Sequence, residues 1–266
     1  MKFLIINAFA EKGYEGNPAA VTLVENFPPD NQCQAIAYQI NLSETVFIKR
    51  IKDNYFHIRW FSPQREVPLC GHGTLAAAHF LLENNALVEN KPLTFDSLSG
   101  PLAVYEDQNS SLLTLDFPVQ ETTEIPFPAI LNDAFGLKHN PKKVEKADDV
   151  LLVEVNSEEQ IHSLKPDFEK IKKLECRAVI ITALSLSPEF DFVSRVFAPK
   201  SGVNEDPVTG SAHCKLAPYW SKLLKKNTFK AFQASKQGGV LYITLKEDRT
   251  FISGHVLTKE SKFITL

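Results

Sequence analysis

The sequence predicts an α+β protein of two similar domains, each a β-sheet rolled around one central helix, with the active site in the cleft between them. Three observations carry that expectation: an internal repeat, a majority of short strand-like runs, and one helical stretch directly after each copy of the repeat. Arg59-Trp60-Phe61-Ser62-Pro63 followed by Glu66-Val67-Pro68-Leu69-Cys70-Gly71-His72-Gly73 returns as Arg195-Val196-Phe197-Ala198-Pro199 followed by Glu205-Asp206-Pro207-Val208-Thr209-Gly210-Ser211-Ala212. The offset is 136 from Arg59 to Arg195 and 139 from Glu66 to Glu205, so the second copy holds three extra residues in its loop. Ser97-Leu98-Ser99-Gly100 matches Ser235-Lys236-Gln237-Gly238 at an offset of 138. Three matches in order and nearly in one register mark a duplicated unit. The copies meet near residue 120, where Pro118, Pro126 and Pro128 stand among polar residues as in a linker. The domains are expected over residues 1–118 and 119–266, with the last strand a candidate to pair back with the first half.

The elements follow in chain order. Residues 3–6, 20–24, 45–48, 56–61, 112–117, 150–155, 178–182, 190–197 and 241–245 are apolar or alternating runs rich in β-branched and aromatic residues, which suits strands. A helix is expected from Asp30, as its cap, through Tyr38. The Ala- and Leu-rich stretch from Gly73 to Leu82 places Leu75, His79 and Leu82 on one stripe, with His79 as a core histidine. Ala212 to Leu224 repeats the pattern with Leu216, Tyr219 and Leu223, and Pro218 should bend it. Trp60 and Trp220 read as core residues.

Composition narrows the function classes. The chain has 266 residues, 44% hydrophobic and 23% charged, with Lys plus Arg 29 against Asp plus Glu 32 and a net charge of -3. That is an ordinary globular composition with no basic field for nucleic acid or anionic lipid. The four cysteines, Cys33, Cys70, Cys176 and Cys214, form no C-x-x-C pair and read as free thiols of a cytoplasmic protein. Phe3 to Ile6 is too short for the core of a signal peptide and reads as a first buried strand. No run approaches the roughly 18 apolar residues of a membrane span. Neither G-x-G-x-x-G nor a P-loop occurs, so nucleotide cofactors have no support.

Each copy of the repeat runs from a strand through a proline turn to a glycine and into a helix, which is a design for binding an anion. The first N–H groups of a helix lack intrahelical partners and lie at the positive end of its dipole. Gly71, Gly73 and Gly210 let a ligand approach the backbone. Around the turns stand Glu66, Cys70 and His72 in one copy and Glu205, Asp206, Thr209, Ser211 and His213 in the other. Thr209 occupies the place of Cys70, so a two-thiol epimerase is disfavoured. Glu44 is a lone carboxylate opening an apolar strand; turned inward, it would be desolvated and poised as a general base. A zinc site of Cys70, His72, His213 and Cys214 is disfavoured because C-x-H and adjacent H-C spacings fit no common module.

These residues carry a resemblance. Asn17-Pro18-Ala19-Ala20-Val21, Leu42-Ser43-Glu44-Thr45-Val46-Phe47 and the two repeat segments together are similar to the PhzF family of phenazine-biosynthesis isomerases, over essentially the full length. The resemblance implies the diaminopimelate epimerase fold, a homodimer, and no metal or organic cofactor. It implies that Glu44 is the acid/base that takes a proton from an allylic carbon and returns it elsewhere. His72, Asp206 and Ser211 then bind or orient a small carboxylate-bearing substrate and assist proton movement, and Gly71 and Gly210 offer N–H groups to its carboxylate. Cys70 departs from the phenazine enzyme and leaves the substrate open. The expected function is a cofactor-independent isomerase acting by single-base proton transfer; the alternatives are a non-catalytic small-acid binding protein and a Cys70-dependent epimerase or racemase.

Overall fold

A computed structural model describes residues 1–88, 91–107 and 110–264. The chain forms two compact units, one of Met1–Phe117 with Phe251–Leu266 and one of Pro118–Thr250.

The first unit contains β1 (Lys2–Ala8), β2 (Asn17–Val24), α1 (Asp30–Ile40), β3 (Glu44–Lys52), β4 (Tyr55–Phe61), β5 (Glu66–Val67), α2 (Gly71–Glu83), β6 (Leu93–Ser97), β7 (Gly100–Asp107) and β8 (Leu112–Pro118). The chain continues through β9 (Thr123–Glu124), α3 (Ile130–Phe135), β10 (Lys143–Ala147), β11 (Val150–Glu154), α4 (Glu158–His162), α5 (Phe168–Ile171), β12 (Ala178–Leu184), β13 (Phe192–Ala198), β14 (Val203–Asp206), α6 (His213–Leu224), β15 (Thr228–Gln233) and β16 (Gly239–Lys246). It ends with β17 (Arg249–Gly254) and β18 (Val256–Phe263), and β18 pairs antiparallel with β1.

The repeat in the sequence is a repeat of pairing. In the first unit β2–β3 and β4–β6 are parallel, while β1–β2, β3–β4, β4–β5 and β6–β7 are antiparallel. In the second unit β11–β12 and β13–β15 are parallel, while β10–β11, β12–β13, β13–β14 and β15–β16 are antiparallel. Even the register is kept: Tyr55 pairs with Thr94, and 137 residues later Phe192 pairs with Ala231.

Each central helix is enclosed. Residues Gly71 to Ala78 of α2 are all buried, as are His213 to Trp220 of α6. Eight consecutive buried residues leave no solvent face over two turns, so protein surrounds the helix on every side. The expected stripe on α2 is therefore wrong in detail: Leu75 is core, but Leu82 and His79 are only half-buried and His79 pairs with Glu83 at 3.1 Å. On α6, Leu216 and Tyr219 are core while Leu223 is exposed, and the helix continues through Pro218. Its first turn, Gly210–Ala212, is 3-10 rather than α. Trp60 and Trp220 are fully buried, with the Trp220 indole N–H donating to Thr182 Oγ1 at 3.1 Å.

Asp30 does not cap α1. Pro29 holds the cap position, and Asp30 reaches Arg59 Nη1 at 2.9 Å. The linker is tied down as well, with Val119 N–H donating to the Asp248 carbonyl and Gln120 N–H to that of Cys214.

Candidate active site

The duplicated Arg and Glu are a clasp, not acid/base groups. Arg59 grips both carboxylate oxygens of Glu66 at 2.7 Å, and Arg195 grips those of Glu205 at 2.7 and 2.8 Å. Each bidentate pair closes the strand-to-helix turn onto the strand before it, a geometry that adds specificity as well as energy. The proline of each turn is also tied down: Ser99 Oγ donates to the Pro68 carbonyl at 2.9 Å and Ser235 Oγ to that of Pro207 at 2.7 Å. Glu66 and Glu205 thus drop out of the set of proton-moving groups.

In the first unit the turn delivers Cys70 and His72 to the start of α2. Gly73 earns its place by packing: a Cβ there would lie 2.9 Å from Cys70 Sγ, 2.9 Å from Trp60 Cδ1 and 3.1 Å from Val46 Cγ2. The space beside it is filled by protein. Cys70 is the N-cap of α2, its sulfur accepting from Gly73 N–H at 3.3 Å. Burial pushes its thiol up to about 11, with the Glu44 carboxylate adding to the effect. A protonated, enclosed thiol is a poor base, which weighs against a Cys70-dependent epimerase.

Glu44 opens β3 and its side chain is turned inward, 13% exposed. Its Oε2 lies 3.0 Å from Nε2 of His72. Burial opposes charge on His72, but Cys70 and the Glu44 carboxylate together outweigh it and raise the imidazole well above its usual range.

Sequence reasoning assigned no role to one further member of this group. Asn17, fully buried, opens β2 and places its Nδ2 at 3.2 Å from Nδ1 of His72. Ala19 is the register partner of Glu44, and Asn17, two residues earlier, projects from the same face of the sheet. Gly16 sets it up: at φ +75° it turns the chain into β2, and a Cβ there would meet the Ala8 carbonyl oxygen at 2.3 Å. The available signal was an asparagine buried at the mouth of an otherwise apolar strand.

Glu44, Cys70 and His72 are the one group of three ligating side chains within 4.8 Å of one another among the described residues. Cys70 Sγ is nearer Nδ1 of His72, at 3.5 Å, than Nε2, at 3.8 Å, whereas Glu44 sits on Nε2. Thiol and carboxylate thus lie nearest different nitrogens of the ring.

In the second unit the corresponding turn is locked. Thr209 Oγ1 donates to Asp206 Oδ2 at 2.5 Å, and Thr209 N–H donates to Gln233 Oε1 at 2.8 Å. The Gln233 amide donates back to the Asp206 carbonyl at 2.8 Å. His213 Nδ1 donates to the Thr209 carbonyl at 3.0 Å, and burial lowers the imidazole to about 4, so it is neutral. Ser211 is half-buried and Gly210 buried in the 3-10 turn. The position matching Glu44 holds no acid. Phe47 pairs with Arg59 as Ile181 pairs with Arg195, and three residues before each stand Glu44 and the buried Ala178. The predicted site residues thus fall into two groups, Glu44, Cys70, Gly71, His72 and Gly73 in the first unit and Asp206, Gly210 and Ser211 in the second.

A duplicated strand-rich fold with enclosed helices, carrying the shielded Glu44–His72 pair at the start of one of them, is the architecture of a class of isomerases. The family model described as phenazine biosynthesis-like protein matches residues 6–261. The chain belongs to that family and, with its relatives, to the isomerases. It is 42% identical over 255 residues to an uncharacterized isomerase of Halalkalibacterium halodurans, covering 96% of this chain and 94% of the relative. It is 37% identical over 270 residues to the phenazine biosynthesis-like domain-containing protein of Homo sapiens, covering 93% of each. A crystal structure of a PhzF-family protein from Enterococcus faecalis superposes with a TM-score of 0.91 at 40% identity, covering 100% of this chain and 99% of that one. A hydroxyproline epimerase from Agrobacterium vitis shares the fold, with a TM-score of 0.64 at 11% identity over 98% of this chain and 91% of that one.

Proposed function

We propose that the protein is an isomerase that moves a proton between carbons of a small, carboxylate-bearing, unsaturated or cyclic metabolite, with Glu44 as the single acid/base. The observation that carries this reading is the shielded Glu44–His72 pair at 3.0 Å together with Ala178 at the matching position of the other half. One base serves proton removal and return on one face of a substrate; stereoinversion without a cofactor calls for two. In this reading His72 orients Glu44, while Asp206 and Ser211 hold the substrate. The N–H groups at Gly71 and Gly210 receive its carboxylate, and no metal or organic cofactor takes part. The active form is a cytoplasmic homodimer. Four free, buried cysteines support a reducing compartment, and among the described residues no helix is long and apolar enough to cross a membrane.

The test is proton NMR in D₂O with trans-2,3-dihydro-3-hydroxyanthranilate and a panel of unsaturated amino acids. Deuterium enters a substrate carbon with the wild-type protein and not with Glu44→Gln. Exchange that survives in the variant overturns the assignment of Glu44.

A further inference from the structure

Asn17 and Glu44 approach His72 from β2 and β3 at opposite nitrogens of one ring, Asn17 Nδ2 at 3.2 Å from Nδ1 and Glu44 Oε2 at 3.0 Å from Nε2. An amide nitrogen only donates, so the Nδ1 that faces it must present its lone pair. The protonated thiol of Cys70, 3.5 Å from the same nitrogen, can add a second, weak donor. A neutral imidazole carries one N–H, and with Nδ1 accepting, that proton is on Nε2, the nitrogen that lies 3.0 Å from Glu44 Oε2. The titratable groups that face His72 are Cys70 from the turn ahead of α2 and Glu44 from β3.

We infer that Asn17 is a positioning residue that, with the Glu44 carboxylate on the other side of the ring, holds His72 in the Nε2–H tautomer, so that Nε2 keeps its proton beside Glu44 and Nδ1 is the nitrogen that gains and loses one. His72 then orients the Glu44 carboxylate without passing protons to it. The second proton of His72 arrives on the Asn17 side, where the amide must turn its oxygen to the ring to receive it. The bearing of this on catalysis rests on the reading of Glu44 as the base; the tautomer does not.

The experiment is a pH titration of the intact, ¹⁵N-histidine-labelled protein, following the two ring nitrogens of His72 by long-range ¹H–¹⁵N correlation, with Asn17→Asp and Asn17→Leu alongside. In the wild-type protein Nδ1 moves into the unprotonated range as pH rises while Nε2 stays in the protonated range. In Asn17→Asp the new carboxylate accepts from Nδ1–H, so Nδ1 also stays in the protonated range to higher pH. Asn17→Leu removes the donor from the Nδ1 lone pair and likewise moves the titration of Nδ1 to higher pH, while Nε2 beside Glu44 keeps its proton. Wherever Glu44-dependent deuterium exchange is measurable, Asn17→Asp lowers its rate by about tenfold or more, as expected when an oriented acid/base group loses its partner. A wild-type Nε2 that titrates, or a pattern unchanged in Asn17→Asp, overturns the inference. The wild-type titration decides even if a variant fails to fold, and it needs no substrate, so its failure is distinct from absence of exchange.

Discussion

The two strand-to-helix turns descend from one pattern and have come to do different work. Both are closed by a bidentate Arg–Glu clasp and a serine on the proline carbonyl. Within that common frame, the first turn holds Cys70 and His72 against an inward carboxylate, while the second ties Asp206 to Thr209 and Thr209 to Gln233. Gln233 itself has a counterpart: His57 pairs with Asp96 in one unit as Ser194 pairs with Gln233 in the other. The histidines show the same divergence. His72 is held towards the charged form by an adjacent carboxylate, and His213, with backbone partners and an aromatic neighbour in Phe192, is held neutral. A duplicated frame lets the two turns hold different sets of side chains, because the fold is carried by parts the two share.

The largest effect should come from the group with no counterpart. Glu44→Gln keeps shape and removes the base, so deuterium exchange should fall by about 10²–10⁴-fold. Asp206→Asn, which can still accept from Thr209, should lose less. Equal losses would mean the halves share the proton chemistry.

The histidines should give opposite pH dependences of stability. His213 has a folded value near 4 against an ordinary value of 6.5, so its contribution is present above about pH 6.5 and is lost as pH falls towards 4. A difference of that size corresponds to on the order of 3 kcal/mol. His72 is raised, so its contribution is present below about pH 6.5 and is lost as pH rises through its folded value. Urea midpoints of wild type and His213→Asn should converge on acidification. A constant gap across the acid range would show that His213 does not titrate in this way.

Packing should separate the halves next. Gly73 has three neighbours at 3.1 Å or closer where a methyl would sit, whereas Ala212, its counterpart in the repeat, already carries one and is buried. Gly73→Ala should cost about 1–3 kcal/mol in chemical denaturation. A neutral result would mean that Trp60 and Cys70 yield easily and that the glycine is kept for another reason.

The smallest effect is expected at Cys70. Its sulfur caps α2 and is protonated, so Cys70→Ser, which caps as well, should shift stability by less than about 1 kcal/mol and leave Glu44-dependent exchange in place. Loss of exchange in that variant would return the thiol to the mechanism.

Much of this was legible before the fold was known. The repeat, the two helices entered through glycine, and Glu44 and His72 as candidates all rest on residue types at short spacing. The strands β6, β7, β10 and β15 escaped notice: β10 carries Lys143, Glu145 and Lys146, and β15 places Lys230 and Thr228 among its apolar positions. Such strands are held by their neighbours' hydrogen bonds rather than by a hydrophobic pattern of their own. Asn17 escaped for another reason, since 55 residues separate it from His72 and no local spacing encodes the contact.

The sequence by itself determined the duplication and the inventory of groups, because both are properties of order along the chain. Tertiary structure alone decided which of those groups act together. It spent Glu66 and Glu205 on arginines, enclosed Cys70 so that its thiol keeps its proton, and brought Asn17, His72 and Glu44 from a strand, a helix start and a second strand onto one ring. Hydrogen bonding and desolvation act over a few ångströms in space, and only strand register and the seating of α2 bring those distances about.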